Sequence, residues 1–120
     1  MRYEPIPKWT ASEIEAILVQ NRPDEVCLAA LSAALYADDA LWAEAICLRL
    51  ALHPNAAVRG NAMLGFGHIA RLHQHLTRTL TPPVIERALQ DENNYVRSQA
   101  ENAADDVNVF LKWELKRPRI

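Results

Sequence analysis

Residues 91–106, DENNYVRSQAENAADD, follow a pattern that also occurs 38 residues earlier in the chain. Aligning HPNAAVRGNAMLGFGHIARL (53–72) with DENNYVRSQAENAADDVNVF (91–110) pairs Asn55 with Asn93, Val58-Arg59 with Val96-Arg97, Ala62 with Ala100 and Ile69 with Val107. In both copies the apolar residues recur at helical spacing and fall on one face, which ends in Phe110 and Leu111 in the later copy. An internal period of about 40 residues built from helix pairs is typical of an α-solenoid.

The later copy resembles the inter-helix turn and second helix of a HEAT repeat. In that family an Asp in the turn, a following Val-Arg pair and small residues in the second helix recur, and Asp91, Val96, Arg97 and Ala100 match them. The resemblance implies an α-α superhelix of helical hairpins in which Asp91 and Arg97 bond neighbouring turns. The earlier copy has His53 where Asp is expected, which predicts an incomplete ladder there.

Start signals along the chain predict six helices in one all-α domain over residues 1–120. The repeats are clearest over 39–76 and 77–114, and the first two helices would form a third, divergent pair. No segment alternates with period two, so no sheet is expected. The signals are Thr10 with Glu13 as a capping box for a helix to about Asn21, Pro23 in a first turn, Asp38 and Asp39 between helices, Asn55 before a helix to His75, Thr81 with Pro82 and Pro83, and Asn93 or Asn94 before a helix to about Glu114.

Composition favours a folded, non-secreted domain. Half of the 120 residues are hydrophobic and only three are Gly. The N-terminal segment MRYEPIPKWT lacks the apolar core of a secretory signal, and no apolar run approaches the ~20 residues needed to cross a bilayer. We therefore expect a cytoplasmic protein in which Cys27 and Cys47 are reduced core thiols.

Charge is distributed in blocks. The net charge of −2 argues against the basicity of most nucleic-acid binders. Residues 1–44 carry eight acids and three bases, 45–85 carry no acids and four bases, and 86–111 carry six acids and two bases. The last block, 112–120, is basic, and we interpret it as a solubilising end. Such blocks say little about fold and more about partners.

The sequence indicates no metal, cofactor or catalytic centre. His68 and His75 would share one face of the fourth helix while His73 points toward the core, and two imidazoles make a poor zinc site. No Gly-rich phosphate loop or nucleophile-base motif is present. Glu101 and Asp105 place two carboxylates side by side, which suits acid-base chemistry but also a solvated helix face.

A polar strip on the sixth helix is the candidate binding surface. Second helices of HEAT pairs line the concave side of the superhelix, so the resemblance implies that this strip faces a groove. Gly65 and Gly67 predict close helix approach beside it. The strip is either an ordinary solvated face or a surface shaped by a cationic partner. Its candidate residues are Ser98, Glu101, Asn102, Asp105 and Asp106, with Leu64, Arg71 and His75 as a matching stripe on the fourth helix.

These features favour a non-catalytic protein-binding domain. In size, charge and helical architecture the chain is similar to bacterial immunity proteins, some of which belong to contact-dependent growth inhibition systems. That resemblance implies a protein partner, a cognate toxin that is often a basic nuclease. The alternative is a HEAT-like scaffold or a lyase-like accessory protein that handles a small molecule or pigment. DNA-binding HEAT proteins line the groove with Lys and Arg, whereas the last helix here is anionic, and we expect no direct nucleic-acid or membrane binding.

Overall fold

The computed structural model describes residues 5–115 and is all-helical over that range. None of its helices is long and apolar enough to span a membrane. The prediction of an all-α fold is confirmed. The helices are α1 (Ala11–Gln20), α2 (Pro23–Tyr36), α3 (Ala40–Leu50), α4 (Ala56–His73), α5 (Thr81–Ala88) and α6 (Asn94–Leu111).

Most helices begin where the sequence places a capping side chain. Thr10 and Glu13 form a reciprocal capping box at α1. Asp39 accepts a hydrogen bond from the N–H of Trp42 at the start of α3. Asn55 and Asn93 each accept from two backbone N–H groups, at the starts of α4 and α6. A cap of this kind contributes about 0.5–2 kcal/mol, so local chemistry defines these boundaries.

The C-terminal ends of α4 and α6 differ from the prediction. Gln74 and Lys112 adopt left-handed backbone conformations, with φ of 52° and 59°, and end the helices at His73 and Leu111. The predicted ends at His75 and Glu114 were therefore too late. Because His75 lies beyond the end of α4, helical spacing no longer relates it to His68, and the predicted shared face was wrong.

Three helix pairs stack with α4 at the centre. Each first helix packs on the second helix of its pair, and α4 contacts both α2 and α6. Residues paired by the 38-residue alignment of α4 and α6 are buried alike, although Phe110 and Leu111 are only partly buried. The buried equivalent pairs are Val58 with Val96, Ala62 with Ala100, Gly65 with Ala103 and Ile69 with Val107.

Gly65 allows the close packing of α4. A Cβ atom built there would lie 2.6 Å from the Cys47 Sγ and 3.4 Å from the carbonyl oxygen of Ala30. Glycine therefore lets α2 and α3 both approach α4, as the sequence predicted. Cys47 is a fully buried free thiol, and Cys27 is a half-buried free thiol; burial raises the pKa of both.

A bidentate ion pair joins the first turn of α4 to the connection before α6. Arg59 donates from Nε and Nη2 to the two carboxylate oxygens of Asp91 at 3.0 and 3.1 Å, and both side chains are more than four-fifths buried. Through Nη1, Arg59 also donates to the carbonyls of His53 and Pro54. Arg97 makes the equivalent contact to the carbonyl of Asp91, at 2.7 Å. Each Arg thus closes its own turn, and Arg59 also binds the next turn.

His53 continues this ladder toward the N-terminus. Its Nδ1 accepts from the N–H of Asn55 at 3.0 Å, which leaves the protonated Nε2 to donate to Asn21 Oδ1 at 2.7 Å. Asn21 and His53 occupy the positions that Arg59 and Asp91 occupy 38 residues later. The prediction of an incomplete ladder of hydrogen bonds between turns was wrong. The His53 imidazole makes both contacts, to its own turn and to the preceding one, that the Asp91 carboxylate makes 38 residues later. This contact also attaches the first helix pair to the stack.

Glu44 ties α3 to the connection between α4 and α5. Its side chain is 2% exposed and accepts from the backbone N–H and the hydroxyl of Thr77, both at 2.7 Å, and from the hydroxyl of Thr81. Thr81 begins α5 as predicted, but its hydroxyl serves Glu44 instead of capping the helix. Three donors offset the cost of burying this carboxylate.

Replacing Ala100 with Leu tests the packing of α6. Ala100 is fully buried, so the added side-chain carbons must displace neighbours, and we expect a loss of about 1–3 kcal/mol in the free energy of unfolding. Urea denaturation monitored by circular dichroism measures it. The matched control is Ala45→Leu at an exposed position of α3, expected to change stability by less than about 0.5 kcal/mol. Equal midpoints for the two variants would contradict the packing described.

Candidate functional site: a polar strip on α6

The predicted strip lies on the surface of α6 away from its buried Val96 face. Ser98, Asn102 and Asp105 are exposed, and Glu101 and Asp106 are half-buried. The side chain of Asn102 donates to Gln99 Oε1 at 3.2 Å. Five polar side chains on one helix therefore form a continuous surface bearing three carboxylates.

Asp106 lies at the edge of the strip, against α4. Its carboxylate sits over Gly67, where a Cβ atom would collide with it, so the glycine provides the space that the carboxylate occupies. Burial raises the pKa of Asp106, while the nearby charge of Arg71 opposes that rise and that of Asp105 adds to it. The anionic strip and the cation of α4 therefore meet at this edge.

The α4 side of this surface carries Leu64, half-buried, and Arg71, exposed. Arg71 donates to the His68 Nδ1 at 2.6 Å. Burial and the Arg71 charge lower the pKa of His68, which favours the neutral ring that such an acceptor requires. His75 does not join this stripe. It lines a separate cavity of about 340 Å³ with Arg78, Phe110 and Trp113, among others.

A series of hydrogen bonds that was not predicted from the sequence links α6, α4 and α2. The Tyr95 hydroxyl donates to Asn61 Oδ1 at 2.5 Å, and Asn61 Nδ2 donates to the carbonyl of Cys27 at 2.7 Å. The ring of Tyr95 covers Gly60 so closely that a Cβ atom would clash with it. Gly60, a glycine inside a helix, was the one signal in the sequence for this contact. This series of hydrogen bonds fixes α6 against α4 and α4 against α2.

Asn108 has a structural role at the end of α6. Its side-chain oxygen accepts from the N–H of Leu115 at 2.8 Å, and its amide donates to the carbonyl of Leu115 at 3.1 Å. Nearby, the Arg78 guanidinium lies 5.4 Å from the centre of the Trp113 ring. These contacts hold the start of the basic C-terminal block, whose residues 116–120 lie outside the described range.

Within residues 5–115 no group of three or more His, Cys, Asp or Glu side chains is arranged to hold a metal ion. The hydrogen-bond partners of His53 are Asn21 and the Asn55 backbone, and that of His68 is Arg71. These imidazoles serve turns and a helix surface. The chemistry that the strip offers is charge and hydrogen-bond acceptance.

Comparison with solved structures finds a close relative in architecture. The chain is similar to a chain in the crystal structure of a CDI complex from Cupriavidus taiwanensis, with a TM-score of 0.80 and 28% sequence identity. The likeness covers 92% of this chain and 97% of that one. No protein-family model and no curated protein sequence matches. The two chains therefore share one fold over nearly their whole lengths.

Replacing Asp106 with Asn tests whether the edge of the strip costs stability. Because the folded-state pKa of Asp106 is raised, its ionised form weakens the fold above that pKa, and the penalty disappears as the pH falls below the unfolded value of about 4. We expect Asp106→Asn to gain a few tenths of a kcal/mol at pH 7, after allowance for solvent screening, and no gain near pH 3. Urea denaturation at both pH values measures this.

The control is Glu86→Gln, which removes an exposed carboxylate from α5. A loss of more than about 0.5 kcal/mol at pH 7 in Asp106→Asn alone would show that the ionised carboxylate stabilises the α4–α6 contact.

Proposed function

We propose that this chain is an immunity protein that binds and neutralises a cognate toxin of a contact-dependent growth inhibition system. The observation that carries the proposal is the likeness to a chain of a CDI complex, in which nearly all of both chains superpose. We interpret CDI as contact-dependent growth inhibition. The charge pattern and helical architecture of the sequence suggest the same class of protein by a separate route.

Between the two components of such a complex, the inhibitor fits this chain better than the toxin. The polar side chains around α4 and α6 are largely engaged in holding helices and turns, as with Arg59, Asn61 and Asn108. The strip presents carboxylates, an amide and a hydroxyl at the surface, and such groups suit recognition. We therefore propose a non-catalytic protein that acts in the cytoplasm, built of HEAT-like hairpins.

The strip is the proposed contact with the toxin. Glu101, Asp105 and Asp106 would meet lysines or arginines that in a nuclease hold RNA or DNA. Opposite charges across an interface accelerate association and make it sensitive to salt. Leu64 and Arg71 on the adjacent α4 would complete a surface of mixed character. The proposed partner is accordingly a basic, nuclease-type toxin domain.

Co-expression with the candidate toxin tests the function. The neighbouring genes are inspected for a candidate toxin, and the probe is the toxin domain encoded there, produced from an inducible plasmid. We expect its induction to stop growth, this chain to restore growth, and the two to co-purify as a 1:1 complex. A neighbourhood of metabolic genes, or growth arrest that this chain leaves unchanged, would contradict the proposal.

Reversing two charges tests the role of the strip. Glu101→Lys with Asp105→Lys should slow association with the toxin domain about tenfold or more at low salt and flatten its dependence on ionic strength. Stopped-flow fluorescence measures the rate, and circular dichroism checks the fold. The matched control is Glu86→Lys with Glu92→Lys, which makes the same charge change at exposed positions outside the strip. Equal rates for both double variants would remove the strip from the interface.

A further inference from the structure

A groove at the opposite end of the molecule has aromatic walls and an acidic rim. It lies between the start of α1 and the connection from α2 to α3, and its volume is about 560 Å³. Three of its residues are aromatic and two are aspartates. The lining comprises Trp9, Tyr36 and Trp42, Asp38 and Asp39, and Lys8, Thr10, Ala11 and Ala37.

Anchored elements hold the two indoles of this groove. The Trp9 backbone N–H donates to the Oγ of Ser32, a fully buried residue of α2, at 3.1 Å. The Trp42 indole N–H donates to Glu15 at 3.3 Å, and Glu15 is held in turn by Arg49 at 3.0 Å. Both Trp side chains pack against the hydrophobic core but remain partly exposed. The Trp42 ring and the Trp9 backbone are therefore held by contacts within the protein.

The charge around the groove is negative. Asp38 and Asp39 are exposed at its rim, and Asp39 also caps α3 through one carboxylate oxygen. Lys8 contributes one positive charge against these two negative ones. The groove also belongs to the most acidic block of the sequence, residues 1–44. An apolar ligand placed here would take the carboxylates out of water without supplying a positive charge to pair with them, which costs free energy.

We propose that this groove binds an arginine side chain of the protein partner. A guanidinium ion is planar, stacks on aromatic faces and forms hydrogen bonds with carboxylates, so it matches the indoles and the aspartates together. That the arginine belongs to a protein rests on the proposed function; the preference for a guanidinium rests on the groove alone. The groove and the strip would then give the chain two separate contacts with a basic partner.

A small-molecule titration tests the groove without any toxin. The probe is Nα-acetyl-arginine amide, followed by the indole N–H signals in ¹H–¹⁵N NMR spectra of the full chain. The chain has three Trp residues, so Trp113, whose ring already contacts Arg78, is an internal reference. We expect saturable shifts of the Trp9 and Trp42 signals and a stationary Trp113 signal. Nα-acetyl-citrulline amide, neutral and nearly the same shape, should produce much smaller shifts.

A charge-neutral variant sharpens the test. Asp38→Asn with Asp39→Asn removes both rim charges, and Asn retains the ability to cap α3. We expect roughly fivefold weaker binding of the arginine probe, with an unchanged circular dichroism spectrum. The control is Glu86→Gln with Glu92→Gln, which should bind the probe as the parent chain does.

The outcomes separate the groove from the proposed function. Absent shifts, equal shifts with citrulline, or unaltered binding in the aspartate variant would each overturn the arginine site, whatever the toxin assay gives. Arginine binding without any capture of the adjacent toxin domain would support the site and contradict the immunity function.

Discussion

The arrangement of helices depends most on the bidentate pair between Arg59 and Asp91. Helices α4 and α6 approach closely because Gly60 and Gly67 of α4 leave room for Tyr95 and Asp106 of α6. The ion pair joins the first turn of α4 to the connection before α6, and Arg59 also donates to the carbonyls of His53 and Pro54 before α4. The guanidinium holds the pKa of Asp91 below its ordinary value. A mostly buried, charge-assisted contact of this kind sets the register from which both helices start.

A similar contact between turns joins the N-terminal helix pair, α1 and α2, to the next pair, but it uses different side chains. His53 performs both tasks of a turn aspartate, accepting from its own turn and bonding the preceding one through Asn21. Two further sets of hydrogen bonds add to these contacts. One links Tyr95, Asn61 and Cys27, and the other links Glu44 to Thr77 and Thr81. These contacts support α6 beneath the strip, where Asp106 occupies the space left by Gly67 at the cost of a raised pKa. Such a cost at the surface of a well-supported helix is consistent with a recognition role.

Local signals made most of the fold predictable from the sequence. Caps such as Asn55 and Asn93 and the 38-residue repeat placed the helices and the core faces, because these features depend on residues within a few positions of one another. Several of the features that were missed are contacts across large sequence separations. No residue near Glu44 in the sequence indicates its hydrogen bond with Thr77. The groove of Trp9 and Trp42 forms only where α1 meets the connection between α2 and α3. The end of α4 at His73 was missed because Gln74, unlike glycine, gives little warning of a left-handed conformation.

The proposed function places a partner contact on α4 and α6, whose alignment depends most on the Arg59–Asp91 ion pair. A double-mutant cycle tests that dependence most directly, with Arg59→Met, Asp91→Ala and the combined variant compared with the parent chain by urea denaturation. That dependence predicts a coupling free energy between the two side chains of about 1–3 kcal/mol. A coupling below about 0.5 kcal/mol, with the single losses simply adding, would contradict it.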